Sequence, residues 1–278
     1  MSKAEYDNQG LSRAMQELHH DVIADEYWAR HLRRVKSTLD AFDKGIAEEL
    51  DLGSPTSGDV QSIVRYCIPL FEMHRAIDGV EPDHIWLTAM YLWQKAWRPL
   101  DNLLDNNGPF SANFREYNIA ILRAWTFHST LSPDSRHTTQ FLTCLYDTLD
   151  AENNYEERVN PSLIFRRARL YEVVFDSLPG LSRETTDNFR AYINTVTIAH
   201  DFGDVVTDIK EGISTFATAS LKRIDPHCRL TSKNYQELSE TNEAAFQNQL
   251  LKLNANAIPS CWVTRRNINN FFMWAFRN

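Results

Sequence analysis

No apolar run in this chain approaches the roughly 18 residues that a membrane-spanning helix needs, which excludes stable membrane insertion. Glycine and proline are scarce, nine and ten in 278 residues, and alternating β-branched runs are almost missing. Helices are therefore expected throughout. A basic excess is also lacking: 29 Lys and Arg stand against 37 Asp and Glu, a net charge of -8. That excludes a general nucleic-acid or anionic-membrane binder, since both need basic patches that displace counterions. Cys67, Cys144, Cys228 and Cys261 are scattered without C-x-x-C spacing, and the N-terminal residues are polar rather than signal-like. The expectation is a soluble, cytoplasmic protein with reduced thiols.

What is present reads as one all-α domain over residues 1–278, a size at which a single core is still sizeable. Apolar residues recur at three- and four-residue spacing from Leu11 to Leu52, including Met15, Leu18, Val22, Leu32, Val35 and Leu39. The Gly53 to Gly58 stretch then breaks the pattern. Further helices are predicted over Asp59–Ile77, kinked at Pro69, and from Pro82 to Asp105, stopped by Asn106-Asn107-Gly108-Pro109. Others follow over Ala112–Thr130, Pro133–Leu149, Pro161–Leu178, Arg183–Glu211, Ser232–Leu253 and Pro259–Phe276. The segment Asp150 to Asn160 reads as a polar loop, and Ile213 to Leu230, rich in Ser and Thr, as a less regular and mobile stretch. Nine to eleven helices in one domain is the architecture these patterns give.

The most unusual stretch runs from His200 to Glu211. At about 100° per residue, Asp201, Asp204, Asp208 and Glu211 fall within an arc of roughly 80° on one helix face. Like charges at this spacing repel, so the stripe is either a solvated acidic face or a cation site. A second acidic cluster, Asp101-Asn102-Leu103-Leu104-Asp105, ends a helix whose upstream face carries Trp86, Met90, Trp93, Trp97 and Leu100. Asp101 and Asp105 lie about 40° apart, and oxygen donors of this kind suit a hard cation such as Mg2+.

Asp101-Asn102-Leu103-Leu104-Asp105 resembles the first aspartate-rich motif, D-(D/N)-x-x-D, of class I terpene synthases. Gly203 to Glu211 is similar to their second motif, N-D-(L/I/V)-x-(S/T)-x-x-K-E, with Asp204, Val205, Thr207, Lys210 and Glu211 in register. Gly203 stands where the family has a metal-binding Asn. A second register, starting at His200 and Asp201, places Asp204 and Asp208 at the hydroxyl and Glu positions. The stretch from Pro161 to Arg169 resembles the family's pyrophosphate-sensing region, with Arg166 and Arg169. Asn267 to Asn278 is similar to its last helix, where Trp274 and Arg277 match and Asn278 replaces a Tyr.

The resemblance implies an isoprenoid synthase type of α-helical barrel with both motifs at its mouth. It further implies three Mg2+ ions, or Mn2+ in their place, held by Asp101, Asn102, Asp105, Asp201, Asp204, Thr207, Asp208 and Glu211. Arg166, Arg169, Lys210 and Arg277 would bind the diphosphate of a linear prenyl substrate, with farnesyl diphosphate the favoured length. Asp101 would assist ionisation. The allylic cation would be sheltered by aromatic faces, foremost Trp97 and Phe202, with Phe71, Trp93, Phe165, Trp262, Phe271 and Trp274 as further candidates. Core packing is the competing role for each. The implied activity is cyclisation to a terpene hydrocarbon or alcohol with release of pyrophosphate, and a homodimer is compatible with it. Three alternatives stand beside it: a chain-elongating prenyltransferase of the same fold, a di-iron bundle using Glu17-x-x-His20 and Glu81-x-x-His84, and a non-enzymatic helical scaffold.

Overall fold

The computed structural model describes residues 3–42, 62–104, 109–132, 139–140, 143–144, 177–212 and 215–277; the side chains of residues 3–9, 97, 98, 101, 104 and 211 lie outside that description. Ten α-helices account for most of these residues, and no strand occurs among them: α1 (Lys3–Ala24), α2 (Glu26–Phe42), α3 (Ile68–Asp78), α4 (His84–Leu104), α5 (Phe110–Leu131), α6 (Arg183–Gly203), α7 (Val205–Glu211), α8 (Phe216–Ile224), α9 (Ser232–Leu250) and α10 (Trp262–Phe276). No helix among the described residues is long and apolar enough to cross a membrane. None of the four cysteines forms a disulfide among the described residues; burial pushes the Cys67 thiol upward and the Cys261 thiol up to about 12.

The predicted apolar faces are the buried ones. Met15, Leu18 and Val22 of α1 and Leu32, Val35 and Leu39 of α2 all lie in the core. The aromatic approach to Asp101 packs α4 on α5: Trp86 meets His128 edge-on, and Trp93 donates through Nε1 to His128 Nδ1 at 3.2 Å. Helix α6 occupies the centre, contacting α3, α8, α9 and α10, with Phe189, Tyr192, Ile193, Val196 and Ile198 buried. Asp78 ties its start to the end of α3, accepting from Thr185 Oγ1 at 2.7 Å, from the Ser182 amide at 3.3 Å and, through a 2.6 Å contact, from His74 Nδ1.

Proline acts one turn earlier than the sequence suggested. Pro69 sits in the first turn of α3, and the irregularity is a π-helical turn over Ile63–Cys67. A proline has no N–H for the carbonyl four residues back, here that of Arg65. The Tyr192 hydroxyl donates to that carbonyl at 2.6 Å instead, joining the π-turn to α6. The helix expected from Pro82 begins at His84, because Asp83 Oδ1 accepts from the Ile85 amide at 2.8 Å. The stretch from Ile213 to Leu230, expected to be irregular, contains α8. There Thr215 and Thr218 form a capping box, and Ala217 and Leu221 are buried. Pro133 to Leu149, the Asp150 to Asn160 loop and Pro161 to Leu178 fall almost wholly outside the described residues.

The start of α10 is held by a buried acid from another helix. The Val263 and Thr264 amides donate to the Glu72 carboxyl at 3.0 and 2.8 Å, and Thr264 Oγ1 donates at 2.8 Å. Amides at a helix start lack intrahelical acceptors, so Glu72 supplies them from α3. Burial outweighs these donors and raises the carboxyl from its ordinary 4.5 to about 7. The folded chain therefore keeps a proton that the unfolded chain releases from about pH 4.5, and this contribution to stability is lost as pH rises to about 7. The loss is about 3 kcal/mol, from 1.36 kcal/mol per pH unit. Urea denaturation of wild type and Glu72→Gln between pH 4.5 and 7.5 should show this falling contribution in the wild type alone; parallel profiles would contradict it.

Candidate functional site

The acidic stretch is bent. Helix α6 ends at Gly203, α7 starts at Val205, and Asp204 lies between them at φ -93° and ψ 0°. The expected single helix to Glu211 is thus two pieces joined by a tight turn. The Asp204 amide donates to the His200 carbonyl at 3.0 Å, and the Asp204 carbonyl accepts from the Thr207 and Asp208 amides at 2.8 and 3.0 Å.

The described carboxylates consequently divide, Asp201 and Asp208 going to α8 and Asp204 to His200. Asp201 and Asp208 are buried, and both reach the start of α8. The Phe216 amide donates to Asp201 Oδ2 at 2.9 Å, and the Thr215 hydroxyl donates to Asp208 Oδ2 at 3.1 Å. Carboxylates are favoured there because the first amides of a helix are unsatisfied and its dipole is positive at that end. Asp204 is less buried and turns toward His200, with Nε2 3.5 Å from Oδ2. Thr207 and Lys210 are exposed. The side chain of Glu211 lies outside the described set.

Gly203 has a packing role that explains why no ligand side chain stands there. A Cβ at this residue would lie 2.1 to 2.5 Å from three ring carbons of Trp274, so the indole of α10 rests directly on the glycine backbone. Trp274 also lies 6.0 Å from the His200 ring and 6.2 Å from Phe271, over which the Arg65 guanidinium sits at 4.7 Å. The Trp274 Nε1 is buried without a hydrogen-bond partner. Phe202 points elsewhere: its ring stacks on Phe276 at 5.0 Å and tilts against Tyr235 at 5.7 Å, within the packed contact between α6, α9 and α10.

The other candidates divide sharply. Trp97 and Asp101 lie on the last turns of α4, their side chains outside the described set, and Asn102 is half-buried beside them. Pro99, just upstream, provides no N–H for the Lys95 carbonyl. Asp105, Arg166, Arg169 and Phe165 lie outside the described residues. Arg277 is engaged in a two-pronged ion pair with Glu243, Nη1 to Oε2 at 3.1 Å and Nη2 to Oε1, and its guanidinium covers the Phe272 ring at 4.6 Å. The Glu243 carboxylate raises the pKa of Arg277 further. Glu17 and Glu81, considered for a di-iron site, instead pair with Arg13 at 3.2 Å and Arg75 at 3.0 Å.

Among the described residues, no three His, Cys, Asp or Glu side chains stand where they could together hold a metal ion. The carboxylates at the junction still supply the oxygen donors that a hard divalent cation takes. Thr215 and Glu243 are partners that the sequence reading did not single out, and His200 entered it only as the start of the second register. Their signals were present: His200 stands four residues before Asp204, and Thr215 three before Thr218. No protein-family model, curated protein or solved structure matches the chain.

The Gly203 contact predicts a coupled effect. Gly203→Ala should destabilise the fold by about 1–3 kcal/mol, as overpacking does, and Gly203→Asn by more. In a Trp274→Leu background the Gly203→Ala cost should shrink. Urea denaturation of the four proteins checks it, and equal costs in both backgrounds would refute the contact.

Proposed function

We propose that the chain is a Mg2+-dependent enzyme of the class I terpene synthase kind. It would ionise a linear prenyl diphosphate, the C15 chain in preference to C20, and cyclise the resulting cation with release of pyrophosphate. The observation that carries this reading is the junction of α6 and α7. There two buried carboxylates, Asp201 and Asp208, are oriented by α8, and a third, Asp204, stands beside them. The second acidic sequence, Asp101-Asn102-x-x-Asp105, begins on the last turn of α4. The all-α character of the described residues is consistent with such an enzyme.

Each residue then has a definable task. Asp101, Asn102 and Asp105 on one side, and Asp201, Asp204, Thr207, Asp208 and Glu211 on the other, would hold the cation. A bound Mg2+ would supply Lewis-acid stabilisation of the departing diphosphate. Arg166, Arg169 and Lys210 would add charged donors to the same oxygens, while Arg277 would first have to leave Glu243. Trp274 and Phe271 offer aromatic faces next to the junction, and these attract positive charge. Phe202, stacked on Phe276, would act through packing as much as through its face.

A scaffold reading draws on the same contacts, because Asp201 and Asp208 also anchor α8. The two readings part at Asp201→Asn, which keeps an oxygen acceptor for the Phe216 amide but removes the charge. The wild type should convert C15 diphosphate and Mg2+ to a cyclic product without isopentenyl diphosphate. A strict need for isopentenyl diphosphate would indicate chain elongation instead. Asp204→Ala and Asp201→Asn should abolish turnover while the helical spectrum is retained. Wild-type levels of product from Asp201→Asn, read by mass spectrometry, would reduce that carboxylate to an anchor.

A further inference from the structure

A cavity of about 530 Å3 opens between the second half of α9, the link that follows it and one side of α10 from Arg265 to Phe272. Its floor is apolar: Phe246, Leu250, Leu253, Ile258, Ile268 and Phe272 line it. Gln247 and Asn269 stand among the lining residues as neutral amides, and Arg265 is the one charged group there. In a chain of net charge -8, this lining contains a cation and no acid among the described residues.

Two observations indicate a binding site instead of a packing defect. Both walls are pinned by polar anchors that keep the cavity from collapsing. Asn254 fixes the link to α6, its amide donating to Asn188 Oδ1 and its Nδ2 to Glu184 Oε1, each at 2.5 Å, while its own Oδ1 accepts from the Asn256 and Ala257 amides. Glu72 fixes the start of α10 in turn. The second observation is Arg265 itself. It is exposed and forms no ion pair among the described residues, unlike its neighbour Arg266, which bonds Asp21 at 3.2 Å. Its charge also acts on the buried Glu72 carboxyl, favouring the ionised form.

We propose that this cavity binds a single-chain aliphatic carboxylate, with the chain on the Phe246–Phe272 floor and the head group on Arg265. The volume lies within the range of small-molecule sites, which are mostly apolar with a few polar groups that fix orientation. A guanidinium takes both oxygens of a carboxylate at once, whereas a neutral alcohol gains only the apolar contact and a cationic head is repelled. The cavity is lined by none of the acidic-motif residues, so this proposal stands independently of the catalytic one.

The probes are dodecanoate, dodecan-1-ol and dodecyltrimethylammonium, each below its micelle concentration, titrated into the full chain by calorimetry. Saturable binding with one molecule per chain is expected for dodecanoate, weaker binding for the alcohol and none for the cation. Arg265→Gln should weaken dodecanoate about tenfold or more, the scale of a charged hydrogen bond, and the alcohol by less than about threefold. Ala255→Trp, at an exposed rim residue, should block both, and thermal melting would verify that each variant folds. Equal binding of dodecanoate and the cation, an unchanged dodecanoate affinity in Arg265→Gln, non-saturable uptake or no binding at all would each overturn the proposal.

Discussion

Helix α6 is the constraint on which the rest depends. It lies among α3, α8, α9 and α10, so the polar side chains on its buried faces, Thr185, Asn188, Tyr192 and Asp201 among them, are removed from water. A buried polar group without a partner costs about 1–3 kcal/mol. At four of these groups the chain meets this by using the side chain to hold a neighbour. Thr185 reaches Asp78 at the end of α3, and Asn188 takes the amide of Asn254 beyond α9. Tyr192 closes the carbonyl that Pro69 leaves open, and Asp201 receives the first amide of α8. Apolar burial supplies the drive to fold, and these four directed contacts specify where each neighbour sits.

That arrangement bears directly on the chemistry proposed. A carboxylate that accepts a hydrogen bond from a fixed helix start is held in one orientation, which reduces the cost of organising it around a cation. The same contact makes it part of the scaffold, so stability and activity share residues at the α6–α7 junction. Gly203 shows the other side of this compromise: close packing of Trp274 occupies the place where the motif it resembles carries a ligand. A cation at this junction would therefore rest on the remaining carboxylates, with Asp204 the least buried of those described.

Helical periodicity made much of the fold legible. The three- and four-residue spacing of Met15, Leu18 and Val22, and of Leu32, Val35 and Leu39, marks faces that are buried. Three features were hidden for physical reasons. A proline disturbs the hydrogen bond of the carbonyl four residues upstream, so the irregularity at Ile63–Cys67 appears before Pro69. The Thr-rich composition of α8 reads as loop because its stability comes from a capping box and buried small residues. The contact of Gly203 with Trp274 joins residues far apart in sequence, which local patterning does not reveal. The helical wheel did bring Asp201 and Asp208 together on one face; it gave no sign that α8 would cover that face.

The central claim is that the acids of the two motifs form one cation and diphosphate site. Joint binding of Mg2+ and inorganic pyrophosphate, followed by calorimetry, tests it most directly and needs no turnover. If the claim holds, each ligand raises the affinity of the other beyond their association in free solution. The doubly loaded protein then melts at a higher temperature than with either alone. Identical heats with wild type and with Asp204→Ala, or no change in melting with both ligands present, would contradict it.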